Sequence, residues 1–152
     1  MSVPLPRRIL LDTNVFIIGL LDKTSAAAKI LTFLASERET TLLFSYDLEE
    51  QLRRVGRRVA NKDWAGFVIQ LIWRDYSVDY ILISPSTTRE LENVADIPKE
   101  DIGIYLTALL GEAHCFVSSN RELVKQIARK QNLFECLTAE EFAAKYIPVS
   151  DR

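Results

Sequence analysis

The chain has 152 residues, 48% of them apolar and 26% charged, with a formal net charge of −2. That size suits one α/β domain with a real core, and no run approaches the roughly 18 to 20 apolar residues of a membrane span. Two cysteines and one histidine make no thiolate or imidazole zinc centre, so any metal is a hard cation held by oxygen. With no signal-peptide core near the start, a cytoplasmic protein with no membrane partner is expected.

After a short tail with two prolines, Ile9, Leu10 and Leu11 form an apolar run that predicts a strand buried on both faces, and Asp12 ends it. From Thr13 the period turns helical to about Leu21. Asp12 therefore sits where strand hands over to helix, at the carboxyl edge where open α/β sheets bind ligands; taken alone, it reads better as a helix cap. Residues 22–25 are a turn, 26–34 a helix and 40–45 a second buried strand. Leu48, Leu52, Val55 and Val59 mark an amphipathic helix, and Asn61 opens another in which Trp64, Phe67, Val68, Leu71 and Ile72 share a face. Residues 80–83 predict a third strand, and 86–95 a loop with at most a helical turn near Glu90. Pro98 suits a first helical position, which places Glu100 and Asp101 in the first turn, where the helix dipole favours anions. A fourth strand is expected at 114–118, with Ser119 and Glu122 as the next capping box. A fifth is expected at 134–137, with Thr138 and Glu141 capping the last helix.

This alternation argues for a mostly parallel sheet of four to five strands with helices on both faces, a three-layer α/β/α fold. Asp12, the Glu49/Glu50/Gln51 group, Asp101 and Asn120 all fall at strand ends or helix starts. Parallel strands bring such positions to one edge. Arg53, Arg54, Arg57, Arg58 and Lys62 form a run of bases without an acid, either a phosphate-binding face or a solvated helix flank. There is no glycine-rich phosphate loop, and a dehalogenase-type phosphatase would need a second Asp where Asn14 stands.

These segments together resemble the PIN-domain family of metal-dependent ribonucleases, which includes the VapC toxins of bacterial toxin-antitoxin pairs. Leu10-Leu11-Asp12-Thr13-Asn14-Val15 resembles the family's opening strand and first acid. Phe44-Ser45 with Leu48 and Leu52-Arg53-Arg54-Val55 resembles its second strand and third helix. Asp96-Ile97-Pro98-Lys99-Glu100-Asp101 resembles the segment of its third acid, and Phe116-Val117-Ser118-Ser119-Asn120 its fourth strand and last polar site. The resemblance implies Mg²⁺ or Mn²⁺ held by Asp12 and Asp101, roughly 4 to 6 Å apart. It further implies a water oriented by Glu50 or Glu49, outer-shell contacts from Ser118 and Asn120, and a first turn fixed by Thr13 and Asn14. RNA phosphates would lie on Arg53, Arg54, Arg57 and Arg58.

Two positions depart from the family pattern. Read without a gap, the helix glutamate falls on Gln51; at about 100° per residue Gln51 and Glu49 flank the apolar stripe while Glu50 points nearly away from it. Asn120 replaces the last Asp. A weak metal site is expected, with a binding module that has lost efficient catalysis as the alternative. The large apolar residues Trp64, Phe67, Leu71 and Trp73 add the expectation of a homodimer, or of an antitoxin-binding groove, on the helices between Leu48 and Tyr76.

Overall fold

A computed structural model describes residues 3–94 and 97–149. Its centre is a five-stranded, all-parallel sheet in the order β3-β2-β1-β4-β5. β1 is Arg8–Leu11, β2 Thr41–Ser45, β3 Ser77–Ile81, β4 Cys115–Ser118 and β5 Glu135–Thr138. The helices are α1 (Thr13–Leu21), α2 (Ala26–Ala35), α3 (Tyr46–Val59), α4 (Lys62–Asp75), α5 (Pro85–Val94), α6 (Ile102–Leu110), α7 (Arg121–Lys130) and α8 (Ala139–Tyr146). No helix among the described residues is long and apolar enough to cross a membrane.

The layering follows from the strands themselves. Successive strand residues face opposite sides of a sheet, yet Ile9, Leu10 and Leu11 in β1 and all four residues of β4 are buried. Both faces of the sheet centre are therefore covered, as parallel sheets require. Burial weakens toward the edges, where β3 and most of β5 are only half-buried.

The structure moves several expected boundaries. β3 covers 77–81 rather than 80–83. Its alternating Ser77 and Asp79 hide an edge strand from an apolar-run reading, and Asp79 pairs with Arg8 at 2.7 Å. Residues 85–94 form helix α5 where a loop was expected. Ser84 and Pro85 supply the start signal, with Ser84 Oγ accepting the Thr87 N–H at 3.3 Å and proline at the first helical position. The capping box placed on Ser119 and Glu122 is also replaced: Asn120 caps α7, its Oδ1 accepting the Leu123 N–H at 3.2 Å. The box at Thr138 and Glu141 forms as expected. In α4 the buried stripe is Ala65, Val68, Ile69 and Ile72, which leaves Phe67 49% and Trp73 48% exposed. Ala95 and Asp96, named in the sequence reading, lie outside the described residues.

Candidate active site

The strand order itself locates the site. From β1 the chain steps outward to β2 and β3, then returns to lay β4 on the other side of β1. Connections therefore leave β1 and β4 in opposite directions. The gap between those two carboxyl ends is the topological switch point of the sheet, where open α/β folds bind ligands.

Asp12 closes β1 there, its N–H donating to Val117 O at 2.8 Å as the last rung to β4. The chain then turns into α1, and Asp12 Oδ1 accepts the Thr13 N–H at 2.7 Å. Oδ2 accepts from Ser118 Oγ at 2.7 Å and from Asn14 Nδ2 at 3.2 Å. Asn14 Nδ2 also donates to Ser118 Oγ at 3.2 Å, while its Oδ1 accepts the Ser119 N–H at 3.0 Å. Ser118 Oγ takes the Asn120 N–H at 3.0 Å as well. Thr13, Asn14 and Ser118 thus lock the orientation of Asp12 across the two strand ends. Burial pushes the Asp12 pKa up, and the hydrogen bonds from Ser118 and Thr13 act against that shift.

Ser118 is completely buried at the hub of this network. Ser118→Ala strands the Asn120 N–H and removes one of the shortest bonds to Asp12. It is expected to cost about 1–3 kcal/mol, read from urea unfolding. An unfolding midpoint equal to that of the parent would show the hub to be dispensable.

The second carboxylate arrives from a different direction. Pro98 precedes a single 3₁₀ turn over Lys99–Asp101, and α6 starts only at Ile102. This is later than a helix opened by Pro98, because the first turn is tighter. Asp101 makes no side-chain capping bond, so the capping role that accounts for many acids at helix starts does not account for this one. Its pKa is raised from 3.8 to about 6, first by burial, then by the charges of Asp12 and Glu100. Asp101 therefore feels the charge of Asp12.

The sign of the linkage is set by that raised value. The folded chain holds the Asp101 proton more tightly than the unfolded chain does. Stability from this group is complete below about pH 4 and is lost as pH rises through about 6. In EDTA the protein is expected to melt lower at pH 7.5 than at pH 5.5. Asp101→Asn should remove roughly 0.5 kcal/mol of that dependence once solvent screening is allowed for. An identical slope in the variant would contradict the assignment.

Between the strand ends lies a cavity of about 180 Å³. Asp12, Thr13, Asn14, Gln51, Asp101 and Asn120 give it polar walls, and Ile17, Ile18, Val55 and Leu123 an apolar rim. Gln51, not Glu50, is the polar α3 residue that faces it. Glu50 is exposed, with Arg53 3.8 Å away, and Glu49 is held by Arg53 at 3.0 Å and the Tyr80 hydroxyl at 3.3 Å. The helix runs regularly through this turn, so Glu50 keeps the outward direction that its period dictates. Asn120 lines the cavity while its side-chain Oδ1 caps α7. Ser118 stands behind the wall, bonded to Asp12.

Arg53, Arg54, Arg57 and Arg58 are all exposed. By the 3.6-residue period Arg54 and Arg58 share the face of Gln51 and Val55, whereas Arg53 and Arg57 lie round the helix. Arg53 is spent on Glu49 and Glu50.

Do these residues suit a hard divalent cation? The oxygen donors are two carboxylates and the side-chain amides of Asn14, Gln51 and Asn120, with no sulfur or imidazole, and the charge of Asp12 opposes ionisation of Asp101 in the absence of a positive charge. Among the described residues no group of three or more acidic, histidine or cysteine side chains is placed to hold a metal ion. Mg²⁺ needs only one or two carboxylates beside water and substrate oxygens, so the set fits, as a weak site.

Fold and site define a class: an all-parallel α/β domain with an acidic cavity at its switch point, a PIN-like architecture. No family model matches the chain, and no curated protein matches it. Among solved structures the chain is similar to one in the crystal structure of VapBC2 from Rickettsia felis bound to a DNA fragment from their promoter. The TM-score is 0.57 and the identity 16%, covering 86% of this chain and 96% of that one. At that identity the likeness is one of fold.

Proposed function

We propose that the protein is a divalent-metal-dependent ribonuclease of PIN type that cleaves single-stranded RNA, and that it works as the toxin of a toxin-antitoxin pair. The observation that carries the reading is the convergence of Asp12 and Asp101, from separate elements, on one switch-point cavity, with Asp101 uncommitted to any cap. The PIN-like fold and its likeness to a VapBC structure support it. The same likeness supports an antitoxin partner, and the exposed Phe67 and Trp73 support a homodimer through α4.

Asp12 and Asp101 would hold Mg²⁺ or Mn²⁺, with Asn120 nearby, and the ion would supply a more acidic bound water and charge neutralisation at the phosphate. Thr13, Asn14 and Ser118 keep Asp12 oriented, so no reorganisation is needed when substrate arrives. Gln51 orients a water by hydrogen bonding but takes no proton from it, which makes turnover slow. Arg54 and Arg58 attract flanking phosphates in a salt-sensitive, sequence-independent way.

Incubation of single-stranded RNA with the protein in Mg²⁺, Mn²⁺ or EDTA tests the reading. Cleavage is expected with either ion, weakly, and none in EDTA; Gln51→Glu and Asn120→Asp should raise it by adding the missing charge. Metal-independent cleavage, or none under any condition, would overturn it. In the second case, a chain that still binds RNA would be a binding module.

A further inference from the structure

A second cavity opens on the same carboxyl edge, at the ends of β2 and β3, and is larger than the first at about 460 Å³. Tyr46 and Asp47 of α3, Tyr80 and Leu82 at the end of β3, and Thr88 and Arg89 of α5 line it. Neither an acid pair nor a cap accounts for these groups. Tyr46 is 64% exposed and takes part in no ring contact among the described residues, whereas Tyr80 is already stacked on Trp73 at 5.8 Å. Asp47 and Arg89 are both exposed, and neither makes an ion pair among the described residues, although they face the same space. A cation and an anion that line one cavity without meeting leave room for a ligand that bears an anion at one end and N–H donors at the other.

The two cavities are joined through α3. Asp47 lies one helical turn before Gln51, on the same side. It also packs against Gly103, two residues beyond Asp101: a Cβ at Gly103 would stand 2.6 Å from the Asp47 Cβ. Neighbouring strands are about 4.8 Å apart, so the end of β3 lies roughly 10 Å from the end of β1, a span that one or two nucleotides cover.

Resting on the nuclease reading, we propose that this second cavity binds one nucleotide of the RNA beside the scissile phosphate. The base stacks on Tyr46, Asp47 accepts from its amino or imino N–H, and Arg89 takes a phosphate. An acceptor-only carboxylate meets N–H donors that differ in number and placement from base to base, so the cavity supplies a base preference that the acidic site, which sees only phosphate, cannot.

Fluorescence anisotropy of a short end-labelled single-stranded RNA, measured in EDTA so that nothing is cleaved, tests this. Tyr46→Ala and Arg89→Ala should each weaken binding about fivefold or more. Tyr46→Phe, which keeps the ring, should bind like the parent, and Asp47→Asn should alter the ranking among oligo(A), oligo(C) and oligo(U). If the two alanine variants bind as tightly as the parent, the subsite is wrong, whatever the cleavage assay shows. Weakened binding by these variants of a parent that never cleaves would uphold the subsite and remove the nuclease. A parent that binds no RNA in EDTA removes the subsite, and cleavage in Mg²⁺ or Mn²⁺ then decides the nuclease separately.

Discussion

Asp12→Asn is expected to reduce metal-dependent RNA cleavage by at least about a hundredfold, to background. The argument is one of charge. The cavity has only two carboxylates, and its other oxygen-bearing walls include the amides of Asn14, Gln51 and Asn120, so one more amide leaves a single acid to hold a cation. The folded state should survive, because Asn accepts the Thr13 N–H as Asp does and remains a good N-cap. Asp101→Asn should lose cleavage to a similar degree yet melt higher than the parent in EDTA at pH 7.5, since it removes a carboxylate whose ionisation is opposed by burial and by Asp12. Activity and stability thus move in opposite directions at one residue, as they do where a site is held at a cost to the fold. Added Mn²⁺ should raise the melting temperature of the parent and leave both variants unmoved. Parent-like cleavage by Asp12→Asn would show that this cavity is not where the chemistry occurs.

Gly103→Val is expected to damage both fold and site. The Cβ of any residue at 103 would lie 2.6 Å from both Cβ and Cγ of Asp47, closer than real side chains come, and the first of those atoms cannot swing aside. Helices α3 and α6 must separate. Their contact is also pinned by Ser45 and Thr107, whose hydroxyls lie 2.8 Å apart, with Thr107 donating to Gly103 O at 2.6 Å. Overpacking of this kind costs about 1–3 kcal/mol. The displacement carries Asp101 away from Asp12 and shifts Gln51, so cleavage should fall with stability. Gly66→Ala in α4 serves as the control. Nothing lies within 4 Å of a Cβ there, and replacing a helical glycine should add about 0.5–1 kcal/mol. If the two variants unfold at the same midpoint, close approach is not why residue 103 is glycine.

Much of the architecture was legible because burial imposes a period. The continuous apolar runs of β1, β2 and β4 mark strands covered on both faces, and the stripe Leu48, Leu52 and Val55 marks α3; those central elements stand where the pattern places them. Legibility fails at the edges of the sheet. β3 is half-solvated and tolerates Ser77 and Asp79, so it does not look like its central neighbours, and α5 carries too little apolar surface to show a stripe even though Ser84 and Pro85 announce its start.

The site divides in the same way. Asp12, Asp101 and Asn120 were visible as acids and amides at strand ends and helix starts, and the helical period alone put Gln51 rather than Glu50 beside the apolar stripe. A linear sequence cannot rank these residues by commitment. Asp12 and Asn120 turn out to cap helices as well as line the cavity, whereas Asp101 is left without a cap by a 3₁₀ turn that no propensity signals. Nor does the order of elements reveal that β4 lies against β1 and not beyond β3. That choice makes the switch point, and with it the cavity. It is settled by the packing of all the helices on both faces of the sheet at once, because a local pattern states which face of an element is apolar but not which neighbour will cover it.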